Sequence, residues 1–211
     1  MAEERYEGKD VTITFDGSRC IHSRRCVLTL PDVFRANVEG PWIDPDGAPA
    51  DEIRALARRC PSGAIRAFHP DGTLAEEAPK KNVAAVLENG PIALRGDLQL
   101  PDGSRIRATL CRCGASKSKP YCDGAHESIG FTATGEVAPD ETIQALDARG
   151  PLTVDPRRNG PLKVTGPLEV IKGGSGKTVR KTERCFLCRC GHSSTKPFCD
   201  GTHGKIGFEA D

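Results

Sequence analysis

The chain has 211 residues with a formal net charge of +1, and only 5% of them are aromatic, whereas 23 are Gly and 16 are Pro. Its dispersed basic residues lack interleaved aromatic side chains, which leaves nucleic-acid binding unsupported, and no apolar run approaches the roughly 20 residues of a membrane helix. Since the start MAEERYEGKD also lacks an apolar secretory segment, we expect a cytoplasmic protein whose 10 cysteines are reduced thiols.

The first 78 residues are predicted to form a small α+β domain. Alternating apolar side chains indicate strands, and apolar side chains three to four residues apart indicate helices. Pro49 suits the first turn of a helix in which Ile53, Leu56 and Ala57 share one face. In chain order we predict a strand over 11–15, a short helix within 26–34, a helix over 49–59 and a strand over 64–68.

Three cysteines lie in the loops of this domain. The loop Cys20-x2-Ser23-x2-Cys26 also contains His22, and Cys60 follows the second predicted helix, directly before a proline. This arrangement resembles the divergent single-cluster ferredoxins, a C-x2-C-x2-C...C-P pattern whose middle cysteine is replaced here. The resemblance implies a cluster held by three cysteines. We favour [3Fe-4S], which needs only three protein ligands; [4Fe-4S] would need Ser23, His22 or solvent on its fourth iron, and a purely structural role for the thiols is the remaining alternative.

A repeat occupies the rest of the chain. Asn89-Gly90-Pro91 and the alternating apolar positions up to residue 100 match Asn159-Gly160-Pro161 and the positions up to residue 170 at an offset of 70 residues. Each copy therefore predicts a strand after a Gly-Pro turn. A further strand, within 106–110 in the first copy and 179–187 in the second, leads into the cysteines, and the second copy has a longer hairpin turn over 172–177.

Both copies end in the same set of metal-ligating residues. Cys111-Arg-Cys113 is followed by Cys122 and His126, and this C-x-C-x8-C-x3-H spacing recurs 77 residues later. Three thiolates and one imidazole are a ligand set for a metal centre, either a tetrahedral zinc site or an iron–sulfur cluster. The second set consists of Cys188, Cys190, Cys199 and His203.

The complete pattern in each copy is C-x-C-x2-S-x3-P-x-C-D-G-[AT]-H, which resembles the CDGSH iron–sulfur domain family. The resemblance implies one [2Fe-2S] cluster per copy, with Cys111 and Cys113 on an inner iron and Cys122 and His126 on an outer iron. Because single-motif members form homodimers with interwoven strands, it also implies that the tandem copies pack as an intramolecular pseudo-dimer. Two independent modules are the alternative.

These observations predict an α+β protein in three parts that is monomeric. In the segment joining the second and third parts, residues 143–146 leave room for a short strand. Cys185 aligns with Ala108 of the first copy and is therefore predicted to be a strand residue and not a ligand. The three parts are a ferredoxin-like domain over 1–78, a first CDGSH module over 79–136 and a second CDGSH module over 137–211.

The acidic residues that follow the third cysteine of each copy are predicted to be structural. Asp123 and Asp200 each precede a glycine, where a carboxylate can cap the N–H groups of a short helix. The sequence shows no recognisable nucleotide loop, Ser-His-Asp order or paired-carboxylate site. We therefore expect no enzyme with an active site for an organic substrate.

Three functions fit the predicted metal sites. The first is one-electron transfer or redox sensing, with a reductase and an acceptor protein as partners. The second is donation of intact clusters to apo iron–sulfur proteins, because a histidine ligand is a weak point through which a cluster can leave. The third is a zinc-binding structural or interaction protein, which would be colourless.

The histidine ligands predict loss of the clusters in acid. Free imidazole has a pKa of about 6.5, and a ligand must be unprotonated to bind. Replacing both His126 and His203 by Cys adds negative charge, which should lower the reduction potential, and removes the competing proton, which should slow bleaching at low pH. Visible absorbance followed over time at stepped pH measures this, and unchanged acid lability of the double variant would contradict the prediction.

Overall fold

The computed structural model describes residues 3–139, 146 and 150–211. The chain divides into two compact units, Met1–Glu77 and Ala78–Asp211. Its secondary structure is mixed and consists mostly of strands with a few short helices, as the sequence predicts. In the described part of the chain, none of the helices has the length and apolar character needed to cross a bilayer.

The first unit contains a three-stranded antiparallel sheet in the order β1-β2-β3. Helix α2 packs its buried side chains Ile53, Leu56 and Ala57 into the core of this unit, as its apolar spacing predicts. The elements are β1 (Glu4–Glu7), β2 (Thr12–Phe15), one turn of 3-10 helix (Gly17–Arg19), α1 (Arg25–Thr29), α2 (Ala50–Ala57) and β3 (Ile65–Phe68).

Strand β1 is the strand of the first unit that the sequence did not predict. Its residues Glu-Arg-Tyr-Glu are exposed or half-buried, so they carry no alternation of apolar and polar side chains. The strand forms because its backbone pairs with β2, with Tyr6 opposite Ile13. Edge pairing of this kind leaves no local signature in the sequence.

Among its described residues, the second unit contains six strands in one sheet and two one-turn helices. Strands β5 and β6 form one hairpin and β8 and β9 form the other, which confirms the strands predicted before each set of cysteines. The elements are β4 (Val83–Val86), β5 (Ile92–Leu100), β6 (Gly103–Leu110), α3 (Ala125–Ser128), β7 (Leu152–Pro156), β8 (Leu162–Lys172), β9 (Thr178–Leu187) and α4 (Thr202–Lys205).

The short strand of each repeat pairs with both hairpins. Strand β4 runs antiparallel to β5 of its own repeat and parallel to β8 of the other, and β7 runs antiparallel to β8 and parallel to β5. The registers follow the repeat: Val83 lies opposite Glu169 in one crossing, and Thr153 lies opposite Gln99 in the other. The two repeats therefore exchange backbone hydrogen bonds.

The pairing of the long strands β5 and β8 is irregular near the start of the short strands β4 and β7. The pairing register shifts between Arg95 and Leu98 in β5 and at the equivalent place in β8. A Cβ atom on Gly96 would lie 2.1 Å from Oδ1 of Asn82, and one on Gly166 would lie 2.3 Å from the carbonyl oxygen of Pro151. Glycine is needed at both positions because the other chain segment approaches too closely for any side chain.

One hydrophobic core serves both repeats. It is built from the inward-facing residues of all six strands, so neither repeat encloses a core of its own. Its fully buried members include Ile92, Leu94, Leu98 and Leu110 of the first repeat and Leu152, Leu162 and Leu187 of the second.

One part of the sequence prediction needs amendment in this unit. The Glu, Pro and Lys content of residues 75–82 is typical of an exposed linker, but Asn82 is buried and β4 follows it directly. The predicted strand over 143–146 lies largely outside the described residues, and the strand observed in the joining segment is β7. The hairpin turn predicted over 172–177 connects β8 to β9.

Asn82 connects the repeats through its side chain. Its amide nitrogen donates to the carbonyl oxygens of Gly150 (2.8 Å) and Pro167 (2.9 Å), and its amide oxygen accepts from the N–H of Asp97 (2.9 Å). With 2% of its surface exposed, the side chain satisfies three backbone groups that would otherwise lack partners.

Replacing Asn82 by Ala should destabilise the second unit by about 2–4 kcal/mol, because buried backbone groups lose their hydrogen-bond partners. Urea denaturation followed by circular dichroism measures the change. Gln99→Ala is the control, since its side-chain bonds to Asp97 and Ser104 lie at the surface, and we expect a change below about 0.5 kcal/mol. Equal stability of the two variants would contradict the role given to Asn82.

Candidate metal centres

The first ligand loop of the second unit continues strand β6. The N–H of Cys111 donates to the carbonyl oxygen of Pro120 (2.9 Å), and the N–H of Cys122 donates to that of Thr109 (2.9 Å). These bonds extend the pairing past the end of the strand and return the chain to its starting point. They bring Cys122 next to the segment that carries Cys111 and Cys113.

The second ligand loop is closed in the same way at the end of β9. The N–H of Cys188 donates to the carbonyl oxygen of Pro197 (2.8 Å), and the N–H of Cys199 donates to that of Phe186 (2.9 Å). Each loop is therefore closed by backbone hydrogen bonds between its two arms. The strand fixes the first two ligands, and the returning chain fixes the other two.

The four predicted ligands of each copy form two pairs. In the first copy the sulfur atoms of Cys111 and Cys113 are 3.8 Å apart, and the sulfur of Cys122 is 3.3 Å from Nδ1 of His126. The second copy repeats both distances, at 3.7 Å between its first two sulfurs and 3.3 Å between its third sulfur and Nδ1 of His203. In each copy Nδ1 is thus the ring nitrogen beside the cysteine.

The ligands differ in exposure. Cys111 and Cys188 expose at most 1% of their surface and Cys122 exposes 3%, whereas His126, Cys199 and His203 are partly exposed. Across the described residues, no three His, Cys, Asp or Glu side chains converge as a single bound ion would require. Each copy thus offers two donor pairs, one of two cysteines and one of a cysteine and a histidine.

The charge environment of the thiols also fits a cationic centre. The Cys111 thiol hydrogen-bonds to Cys113, which lowers the pKa of Cys113 to about 6, and burial raises the pKa of Cys122 to about 11. Backbone N–H groups of Ala115 and Gly124 donate to the sulfurs of Cys113 and Cys122 at 3.5 and 3.4 Å. Thiolates buried in this way need positive charge beside them, which a metal centre would supply.

The two aspartates of the motif are helix caps, as predicted. Asp123 accepts from the N–H groups of Ala125 (3.0 Å) and Lys117 (2.8 Å), and so joins the helix that carries His126 to the preceding loop. Asp200 makes the equivalent bonds, and hydrogen bonds from the Thr202 side chain and then from the backbone N–H groups of Ser194 and Thr202 hold its pKa below the usual range. The carboxylates therefore act on the loop backbone.

The arginine between the first two cysteines is the feature of the site that the sequence analysis missed. Arg112 is 1% exposed and donates to the carbonyl oxygens of Leu87, Gly90, Ala133 and Thr134 at 2.7–3.0 Å. These carbonyls belong to the turn before β5 and to the segment after α3. The guanidinium thus ties both neighbouring segments to the ligand loop.

Arg189 has the same role in the second copy. It is also 1% exposed, and it donates to the carbonyl oxygens of Arg157, Gly160, Ala210 and Asp211 at 2.7–3.2 Å. The signal in the sequence was the recurrence of Arg at the middle of both Cys-x-Cys segments. The sequence did not show what these arginines bind, because every partner is a backbone carbonyl more than 20 residues away.

The three predicted ligands of the first unit line one cavity. Cys20, Cys26 and Cys60 are half-buried around a volume of about 310 Å³, whose wall also includes Trp42. Burial raises the pKa of Cys20 and Cys26, and the charge of neighbouring thiols raises both further. The cysteines are therefore close enough to act on one another, as ligands of one centre must be.

The loop from Cys20 to Cys26 lines one side of the cavity. His22 and Arg24 have left-handed backbone conformations, with φ of 53° and 58°. Both residues proposed as a fourth ligand, His22 and Ser23, line the cavity. The donor set fits a cluster held by three cysteines.

Cys185 does not belong to any of these sites. It lies in β9 opposite Val164 and is 6% exposed within the shared core, which confirms that it is a strand residue. Burial raises the pKa of its thiol to about 12. The side chain therefore behaves as a small apolar residue.

Comparison with known protein families agrees with these sites. Residues 6–70 match the family described as a divergent 4Fe-4S mono-cluster, and residues 89–127 and 159–204 each match the family described as an iron-binding zinc finger of CDGSH type. None of the curated proteins compared with the chain matches it. The chain is therefore an iron–sulfur protein that combines a divergent 4Fe-4S mono-cluster domain with two CDGSH-type iron-binding modules.

Proposed function

We propose that the protein is a cytoplasmic one-electron carrier with three iron–sulfur clusters, docking transiently to a reductase and an acceptor protein. The observation that carries this proposal is the division of each CDGSH ligand set into a buried cysteine pair and a Cys-His pair whose histidine is partly exposed. The outer pair brings the centre near a partner, while the inner pair keeps it anchored. Chemistry is confined to the clusters, and no organic substrate is turned over.

The cluster types in this proposal are those that the resemblance to the CDGSH and divergent ferredoxin families implies. Each set of three cysteines and one histidine holds a [2Fe-2S] cluster, with Cys111 and Cys113, or their counterparts in the second copy, on the inner iron. The three cysteines of the first unit hold [3Fe-4S], or [4Fe-4S] with Ser23, His22 or solvent as fourth ligand. When bound, each cluster supplies a reversible one-electron couple, and the chain fixes its ligands, its hydrogen bonds and its exposure.

The two CDGSH modules act as an intramolecular pseudo-dimer. The pairing of β4 with β8 and of β7 with β5, in equivalent registers, supports this arrangement. The shared hydrophobic core supports it as well, since each repeat would expose apolar strand faces if separated. The protein would then need no second copy of itself and would be monomeric.

Cluster donation to apo iron–sulfur proteins is the second candidate. It is favoured by the exposure of the outer ligands, because Cys199 and His203 are both partly exposed. A partner could reach these two ligands without opening the core. Redox sensing would use the same sites, with the oxidation state of the cluster setting whether it is retained.

Analysis of iron, sulfide and electron paramagnetic resonance on anaerobically purified protein tests the proposal. We expect a red-brown protein with acid-labile sulfide and three clusters. Fast, reversible reduction with all clusters retained supports the carrier. Loss of absorbance matched by reconstitution of an apo-ferredoxin supports the donor instead, and a colourless protein that contains zinc without iron would refute both.

The two CDGSH clusters should have different reduction potentials. Glu127 follows His126, whereas the uncharged Gly204 follows His203. Burial, and after it neighbouring charges that include Glu127, raise the pKa of Cys122, so this carboxylate acts on the first site. Negative charge near a cluster disfavours the added electron, so the second copy should be reduced at the higher potential.

Reciprocal substitutions measure this difference in a redox titration. Glu127→Gly should raise the potential of the first cluster, and Gly204→Glu should lower that of the second. Each shift should reach up to about 60 mV at low ionic strength, which changes the ratio of oxidised to reduced cluster tenfold. Gly204 has open space around it, so a side chain is accommodated. Both shifts should shrink in high salt. Coincident potentials that neither substitution separates would contradict the assignment.

A further inference from the structure

Two glycines lie where the ligand loops of the two CDGSH copies meet. Gly114 follows Cys113, and Gly191 follows Cys190 at the equivalent position. Both have left-handed backbone conformations, with φ of +86° and +83°. A Cβ atom on Gly114 would lie 2.5 Å from the carbonyl oxygen of Cys190, and one on Gly191 would lie 2.3 Å from the carbonyl oxygen of Cys113.

These contacts are reciprocal and involve backbone atoms. The carbonyl groups that each glycine meets belong to an inner ligand of the other copy, and they cannot rotate away as the end of a flexible side chain could. Cys113 and Cys190 are themselves 8% and 5% exposed. The backbone of each ligand loop therefore forms part of the wall that surrounds the other.

A side-chain contact also crosses between the copies. The ammonium group of Lys119 lies 6.0 Å from the ring centre of Phe208, which follows the second copy's histidine helix. The first copy thus contributes packing and positive charge beside the second copy's site.

We propose that each CDGSH ligand loop is completed by the other copy, with Gly114 positioning Cys190 and Gly191 positioning Cys113, so that filling one site favours filling the other. The physical reason is that a bound metal centre orders its own loop, and an ordered loop presents a fixed wall to its neighbour. By thermodynamic linkage the effect is the same in both directions. This inference rests on the proposed function, in which both ligand sets hold clusters.

Site-resolved cluster loss tests the proposal in the full chain. The first site is disabled by Cys122→Ser with His126→Ala, so that the second copy supplies the [2Fe-2S] signal. In this background Gly114→Ala should speed loss of the second copy's cluster by at least about fivefold, the lower end of typical coupling between sites. It should also shift that cluster's paramagnetic resonance spectrum, although the substitution lies in the other copy.

A matched control separates this effect from backbone strain. Gly130 belongs to the first copy and has a left-handed φ of +60°, but nothing lies within 4 Å of a Cβ built on it. Gly130→Ala should therefore leave the second copy's cluster unchanged. The reciprocal experiment uses Gly191→Ala against the first copy's cluster, with Gly207→Ala (φ of +63°, open space) as control. Equal effects of Gly114→Ala and Gly130→Ala would overturn the proposal.

A measurement on the unaltered chain covers the case in which Gly114→Ala does not fold. Apo protein is reconstituted with limiting iron and sulfide, and native mass spectrometry counts species with no, one and two [2Fe-2S] clusters. Coupled sites give fewer singly loaded molecules at half-loading than the statistical half, whereas independent sites give that half or more and refute the inference. Failure to take up iron at all would instead refute the proposed function.

Discussion

Two buried arginines hold the ligand loops of the CDGSH modules in place. Each guanidinium lies in the interior with almost no access to water, where an uncompensated charge would be strongly destabilising. Arg112 and Arg189 meet this requirement by donating to four carbonyl oxygens each. The same bonds collect the turn before the hairpin, the ligand loop and the segment after the histidine helix. Hydrogen bonds from these arginines therefore hold the ligand loops in position.

Small size explains why the two repeats share a hydrophobic core and strand pairings. A repeat of this length buries too little apolar surface to be stable by itself, and such modules usually need metals, disulfides or association. Here the strands of both repeats enclose one core, and the short strand of each repeat is hydrogen-bonded into the other's hairpin. The glycines where the pairing of β5 and β8 is irregular allow this crossing, because any side chain there would collide with the entering segment.

The arrangement also separates two properties that an electron carrier needs. Anchoring is supplied by the inner cysteines, which lie at the ends of paired strands and are buried. Access is supplied by the histidine of the outer pair, which is partly exposed and lies on a one-turn helix. A carrier and a donor of clusters differ only in whether the outer ligands stay bound to the cluster while a partner protein is docked. The same geometry therefore serves both proposed functions, and the charges around each outer pair distinguish the two sites.

The sequence by itself determined the identity and spacing of the ligands, the repeat and the hairpin strands, because these depend on local chemistry and on the alternation of side chains. It also identified the buried face of α2 and the capping role of Asp123. Only the tertiary structure decided which strands are exchanged, what Arg112 binds and which carbonyl Gly114 meets. Each of these contacts joins backbone groups far apart in the chain, and backbone groups are the same in every residue, so no local pattern of side chains could have specified them.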